Sequence, residues 1–183
     1  MTKNKLNIIQ ASIIVLNKDP SARIETIADN AGVSRRTLHR YFSTRDDLLA
    51  ACAAWIMDEV LNDVTNATQT HKQPLERLKQ IFKDDISKGQ YFEFCQKFVA
   101  HFEDKVIQAK FNQMTQLFQG ALDQTKAQGI IDKALSNEWI EYMWMGIVHG
   151  ATRALAEGAV APKAVHELAW NTFAHGLINQ TDK

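Results

Sequence analysis

The sequence predicts an all-α protein. A small N-terminal head of three helices is joined by a long helix to a helical C-terminal body, about nine helices in all. Three observations predict this. Apolar residues recur at spacings of three and four along most of the 183 residues, and no stretch sustains the period of two of a half-buried strand. Between Ile24 and Phe42, two short helical runs are parted by one glycine, Gly32. From Leu48 to Val60 a single apolar face continues unbroken, as expected of a helix that leaves the head and enters the body. The predicted domains are residues 1–49 and residues 50–183.

In order along the chain, Leu6, Ile9, Ile13 and Leu16 share one face and predict a helix over about 3–18. Asp19-Pro20 ends it, because proline disfavours helical geometry in the residue before it. Ile27, Ala28 and Ala31 mark a second helix that stops at Gly32, a residue suited to the left-handed conformation of a helix end. Ser34 is placed to cap a third helix by accepting the Thr37 amide. That helix buries Leu38 and Phe42 and leaves Arg35, Arg36, His39 and Arg40 outside. Ser43 and Thr44 then offer caps for the fourth helix, with Asp46 and Asp47 at its positive end. Leu48, Cys52, Trp55, Ile56 and Val60 form its apolar face, and the polar run from Thr65 to Gln73 predicts a loop. Pro74 opens a fifth helix to about Gly89, and four more follow over about 91–102, 104–128, 137–157 and 162–179.

A helix, a glycine turn and a basic helix make the helix-turn-helix pattern, whose second helix enters the DNA major groove. The run IADNAGVSRRTLHRYFSTRDDLL resembles the DNA-binding signature of the tetracycline-repressor (TetR) family. The matching positions are Ile27, Ala28, Ala31, Gly32, Val33, Ser34, Thr37, Leu38, Tyr41, Phe42, Arg45 and Leu48. There are two departures: His39 replaces a tyrosine that touches the DNA backbone, and Arg23 replaces a capping threonine. Both replacements can still reach a phosphate. The resemblance covers roughly the first quarter of the chain and implies a double-stranded, palindromic DNA operator. It places Arg35, Arg36, Thr37 and Arg40 at base edges or nearby phosphates. Ser34, His39, Tyr41, Arg45 and Arg23 fall along the duplex backbone. Charge agrees: residues 1–52 hold eight Lys/Arg against five Asp/Glu, whereas residues 53–183 hold thirteen against sixteen.

The body is rich in aromatics, among them Phe92, Phe94, Phe98, Phe102, Phe111, Phe118, Trp139, Tyr142 and Trp144, with Met114 and Met143. They either fill a helical core or line an apolar cavity for a small ligand, as the resemblance implies. The expected effector-binding residues are Phe98, His101, Phe102, Phe118, Tyr142 and Met143. Gln96, Asn112, Gln113 and His149 are further polar candidates. No cofactor is expected. The chain has no glycine-rich phosphate loop, no GxSxG elbow and no HExxH, so no enzyme is expected. It has neither a CxxC nor a closely spaced histidine pair, and Cys52 and Cys95 lie far apart, so neither a metal site nor a disulfide framework is expected.

Gly146, Gly150, Ala154 and Gly158 recur every four residues on the eighth helix, and Trp144, Ile147, Val148, Ala151 and Leu155 leave it little polar face. A helix apolar nearly all round must be covered on all sides. The strip packs either within its own chain or against a second copy. The dimer interface expected here comprises Gly146, Gly150, Ala154, Gly158 and Phe173. The expected protein is a cytoplasmic homodimer without a signal peptide or membrane span, a transcriptional repressor released from DNA by a small apolar or aromatic effector. The alternative is a DNA-bound adaptor whose body binds a protein and no small ligand.

Overall fold

A computed structural model describes residues 1–176, so residues 177–179, the expected end of the last helix, lie outside the described residues. The described residues form nine α-helices, one 3-10 turn and no strand. The helices are α1 (Lys3–Lys18), α2 (Ile24–Asn30), α3 (Arg35–Tyr41), α4 (Arg45–Thr70), α5 (Pro74–Ser87), α6 (Gly89–Lys97), α7 (Lys105–Ala127), α8 (Asn137–Ala156) and α9 (Val165–His175). The chain divides into two compact units. One holds Met1–Glu59 with Gln90–Phe111, and the other holds Val60–Gly89 with the residues from Asn112 onward.

In the first unit α1 buries Ile8, Ile9, Ile13 and Leu16 and packs on α2, which packs on α3. Leu38, Phe42, Leu48, Cys52 and Ile56 complete this core. Fully burying such side chains contributes ~1.5–3 kcal/mol each. Residues 90–111 join the unit through α6. Asn17 Nδ2 donates to the Gln90 carbonyl at 2.7 Å, Lys97 Nζ donates to the Asn17 carbonyl, and the Trp55 and Tyr91 rings meet edge-on at 5.4 Å. A single cut between residues 49 and 50 therefore does not coincide with the compact units.

The second unit is held by an aromatic cluster. Phe82 meets Trp144 at 4.8 Å and Phe173 at 5.3 Å, and Phe118 meets Trp144 at 4.8 Å. Leu78, Ile81, Leu122, Ile140 and Val148 close around it, joining α5, α7, α8 and α9.

Helix α4, the sixth helix and Gly158 depart from expectation. Helix α4 continues through Thr65–Thr70, because Val64 and Ala67 are buried. The hydroxyls of Thr65, Thr68 and Thr70 donate back to carbonyls four residues earlier at 2.7–2.8 Å, so polar side chains are satisfied inside the helix. The expected sixth helix ends at Lys97 and gives way to a 3-10 turn over Val99–Phe102. Gly158 lies beyond α8 with φ 72°. Its amide donates to the Leu155 carbonyl at 3.2 Å, and the Ala159 amide donates to the Ala154 carbonyl at 2.9 Å. This glycine terminates the helix and does not extend the small-residue strip along it.

Candidate nucleic-acid interface

The turn between α2 and α3 is fixed by backbone hydrogen bonds. Val33 donates to the Ala28 carbonyl at 3.0 Å and Gly32 to the Asp29 carbonyl at 3.1 Å, with Gly32 at φ 65°. Only a residue without Cβ adopts this conformation freely. Ser34 Oγ then accepts the Thr37 amide at 3.1 Å, the expected cap. With Leu38 buried, the helix turns Arg35, Arg36, His39 and Arg40 to solvent.

These side chains differ in how free they are. Arg36 has no hydrogen-bond or ion-pair partner among the described residues. Arg35 pairs with Glu25 at 2.7 Å, and its Nε lies 3.4 Å from His39 Nε2. Exposed pairs of this kind are worth ~0–1 kcal/mol, so a phosphate can displace Glu25 at little cost. The Arg40 guanidinium lies 5.3 Å from the centre of the Tyr41 ring. Tyr41 Oη accepts from the Thr2 hydroxyl at 3.4 Å, and that bond, followed by one from Arg40, holds the phenol below its ordinary pKa. Thr37 is half-buried, its hydroxyl 2.9 Å from that of Ser34. Arg23 is exposed at the N-cap of α2, where its side chain makes no cap bond.

Arg45 makes contacts that were not expected. Its Nη1 donates to the Ala22 carbonyl at 2.7 Å and its Nη2 to the Pro20 carbonyl at 2.5 Å. The guanidinium thus braces the loop before α2. The fourth-helix cap is as expected but uses Thr44: its hydroxyl accepts the Asp47 amide, and Asp47 accepts the Thr44 amide, each at 3.0 Å.

The expected effector residues divide between the two units. In the first, Phe98 is half-buried with its ring 4.6 Å from Phe94, Phe102 is half-buried, and Gln96 is exposed. His101 Nε2 lies 3.6 Å from Asp46, and its Nδ1 is buried without a partner. In the second, Phe118 is spent on the aromatic core, while Asn112, Gln113 and His149 are exposed. Tyr142 is 78% exposed and Met143 is also at the surface, so in this chain neither walls an enclosed cavity.

The residues expected at the interface divide between core and surface. Phe173 is buried against Phe82 and serves its own core. Ala154 is half-buried, whereas Gly146 and Gly150 are exposed with open space where a Cβ would stand. Around them Trp139, Tyr142, Met143, His149 and Arg153 form one exposed stripe at helical spacing along α8, and Leu168 on α9 adds a further exposed apolar side chain. Trp139 and Leu168 were not among the residues expected at an interface. The spacing of Trp139, Tyr142 and Met143 about Gly146 was the available signal.

Burial pushes the thiols of Cys52 and Cys95 up to about 12, so both stay protonated. Among the described residues no group of three or more His, Cys, Asp or Glu side chains is placed to hold a metal ion. No helix among them is long and apolar enough to cross a membrane.

Residues 18–52 match the family of bacterial regulatory proteins, tetR family. The chain is similar to the HTH-type transcriptional regulator NfxB of Pseudomonas aeruginosa, 32% identical over 88 residues, 48% of this chain and 46% of that protein. It is also similar to the HTH-type transcriptional repressor LfrR of Mycolicibacterium smegmatis, 33% identical over 82 residues, 45% of this chain and 43% of that protein. The match thus spans a little under half the length of these curated relatives. Among solved structures, LfrR in complex with proflavine matches with a TM-score of 0.72 at 20% identity, covering 98% of this chain and 99% of that one. The ketosteroid transcriptional regulator KstR2 of Mycobacterium tuberculosis matches with a TM-score of 0.79 at 13% identity, covering 98% and 97%. At these identities the structures speak for the fold. Residues 18–52 therefore match the tetR family of bacterial regulatory proteins, and the chain shares the fold of solved transcriptional regulators.

Proposed function

We propose that the chain is a homodimeric transcriptional repressor that binds a palindromic operator and is released by a small molecule bound in the body. One observation carries the DNA-binding part: α3 is capped, seated on α2 through a buried Leu38, and turns an unpartnered Arg36 together with Arg35 and Arg40 to solvent. Arg35, Arg36, Thr37 and Arg40 face base edges or adjoining phosphates. Ser34, His39, Tyr41 and Arg23 hold the duplex backbone. In function the chain divides into a DNA-reading head over 1–49 and a body over 50–183.

Dimerisation is supported by the exposed stripe on α8. Monomeric proteins rarely leave contiguous large apolar side chains uncovered. A second copy related by a two-fold axis covers the stripe with itself. Effector release is supported by the solved LfrR–proflavine complex, a ligand bound by a protein of the same fold. The continuous α4 is a covalent route from the body to the head.

Selection of bound duplexes from a random pool, followed by titration, tests the reading. The expected result is two half-sites of inverted sequence with centres ~34–36 Å or a multiple apart. Absence of any enriched sequence would reject it. A thermal-shift ligand screen followed by operator-release assays tests the effector step, and failure to find a releasing compound favours the adaptor role.

A further inference from the structure

A cleft of about 550 Å³ opens in the second unit beside α5 and α9. That volume lies within the ~300–1,000 Å³ of small-ligand sites. None of the residues expected at an effector lines it. Its apolar wall is Phe82 and Trp170, whose rings meet at 5.6 Å; Phe82 is buried and Trp170 half-buried.

Around this wall stand Lys79 and Lys83 from α5 and Lys163 from the segment before α9, all exposed. Among the described residues none of these three ammonium groups has an ion pair or a hydrogen bond. Glu76 and Glu167 also line the cleft, which leaves one net positive charge among these five side chains. His166, also in the lining, reports the local field. Burial first, and then the charge of Lys83, push its imidazole below the ordinary value, with Asp84 pulling the other way. Its Nδ1 is buried without a partner among the described residues. An aromatic wall beside uncommitted cations suits a ligand with one flat apolar end and one anionic end.

We propose that this cleft binds a planar aromatic carboxylate, with its ring against Trp170 and its carboxylate among Lys79, Lys83 and Lys163. The assignment of this ligand as an effector rests on the regulator reading above. Binding itself does not, so it is tested on the full chain without DNA.

The probe is 2-naphthoate, with neutral 2-naphthamide as its match in shape, both titrated by calorimetry. Naphthoate should bind about tenfold or more tighter than the amide, since only the anion accepts charge-assisted hydrogen bonds from the lysines. Lys83→Glu with Lys163→Glu should remove that advantage. Lys83→Gln with Lys163→Gln serves as the milder pair if the first alters the melting temperature. The His166 pKa, followed by NMR, should rise when naphthoate binds, because the anion offsets the field of Lys83. Equal affinity for naphthoate and naphthamide, no saturable binding at millimolar ligand, or an unchanged naphthoate affinity in the folded variants would each overturn the proposal. Binding that leaves operator affinity unchanged would instead count against the effector role and leave the cleft assignment standing.

Discussion

Replacing Gly150 with leucine separates a strip that packs within one chain from a strip that packs against a second copy. A Cβ built on Gly150 meets nothing within 4 Å, and the residue is exposed on α8. Within one chain the leucine therefore has room. Removing glycine from a helix interior recovers up to ~0.8–1 kcal/mol of helix propensity, so the monomer should hold or gain stability. In a two-fold interface the new side chain enters twice, between stripes that include Met143, Gly146 and Arg153. Overpacking costs ~1–3 kcal/mol per site, hence about 2–6 kcal/mol per dimer. At ~1.4 kcal/mol per tenfold, the dimer dissociation constant should rise by roughly one and a half to four powers of ten. Sedimentation equilibrium reads this directly, and operator binding should weaken more than binding to random duplex. A variant that stays dimeric with unchanged operator affinity would show that this face of α8 is not the interface. A variant that melts markedly earlier would mean that Gly150 is covered by its own chain.

Four other substitutions probe separate links. Arg36→Ala should weaken operator binding by ~1–3 kcal/mol while leaving thermal stability within about 0.5 kcal/mol, measured by duplex titration and melting. Arg45→Ala should cost about 1–3 kcal/mol of stability, because it leaves the Pro20 and Ala22 carbonyls without their charged donor. Its salt slope on DNA should match wild type, and a clearly flatter slope would return Arg45 to the phosphates. Gly89→Ala would place a methyl inside the contact envelope of Thr152 Oγ1 and Cγ2 and should cost ~1–3 kcal/mol, largely relieved by adding Thr152→Ala. Burial pushes the Asp85 carboxyl up to about 7, against the lowering effect of the Trp144 indole, which donates to it at 2.7 Å. A folded pKa raised above the unfolded value of 3.8 means that stability is full below about pH 4 and falls as pH rises to about 7, by about 4 kcal/mol in all. Urea titrations from pH 4 to pH 8 should show this fall, and Asp85→Asn, which keeps the acceptor, should flatten it.

The head was legible because its signals are local. The Gly32 turn, the Ser34 cap and the Leu38–Phe42 spacing each act within a few residues, and all three appear as read. The bracing contacts of Arg45 were not legible, for a non-local reason. Its two acceptors, Pro20 and Ala22, lie more than twenty residues earlier, and no pattern in the intervening sequence announces that the loop returns to it. An arginine at a helix start looks the same whether it serves a phosphate or a carbonyl. The polar run after Val64 misled in a related way, since its threonines satisfy themselves on the helix backbone while Val64 and Ala67 supply the buried face.

The body was harder to read because an apolar helix does not say which of its faces is covered by what. On α8 the large side chains divide: Ile140, Trp144 and Val148 point into the core, while Trp139, Tyr142 and Met143 point out. Both sets satisfy a spacing of three to four, so periodicity alone cannot rank them. The small residues break the tie only in part. Gly146 and Gly150 lie with the outward set, Ala151 lies with the inward set, and Gly158 belongs to the cap. The same ambiguity moved Phe173 from the expected interface to the core, where it stacks on Phe82. Core filling also limits which aromatics can reach the cleft. Because Phe118, Trp144 and Phe173 are consumed by one another and by Phe82, the aromatic surface that remains at the cleft is the half-buried Trp170, beside lysines that only the fold brings together.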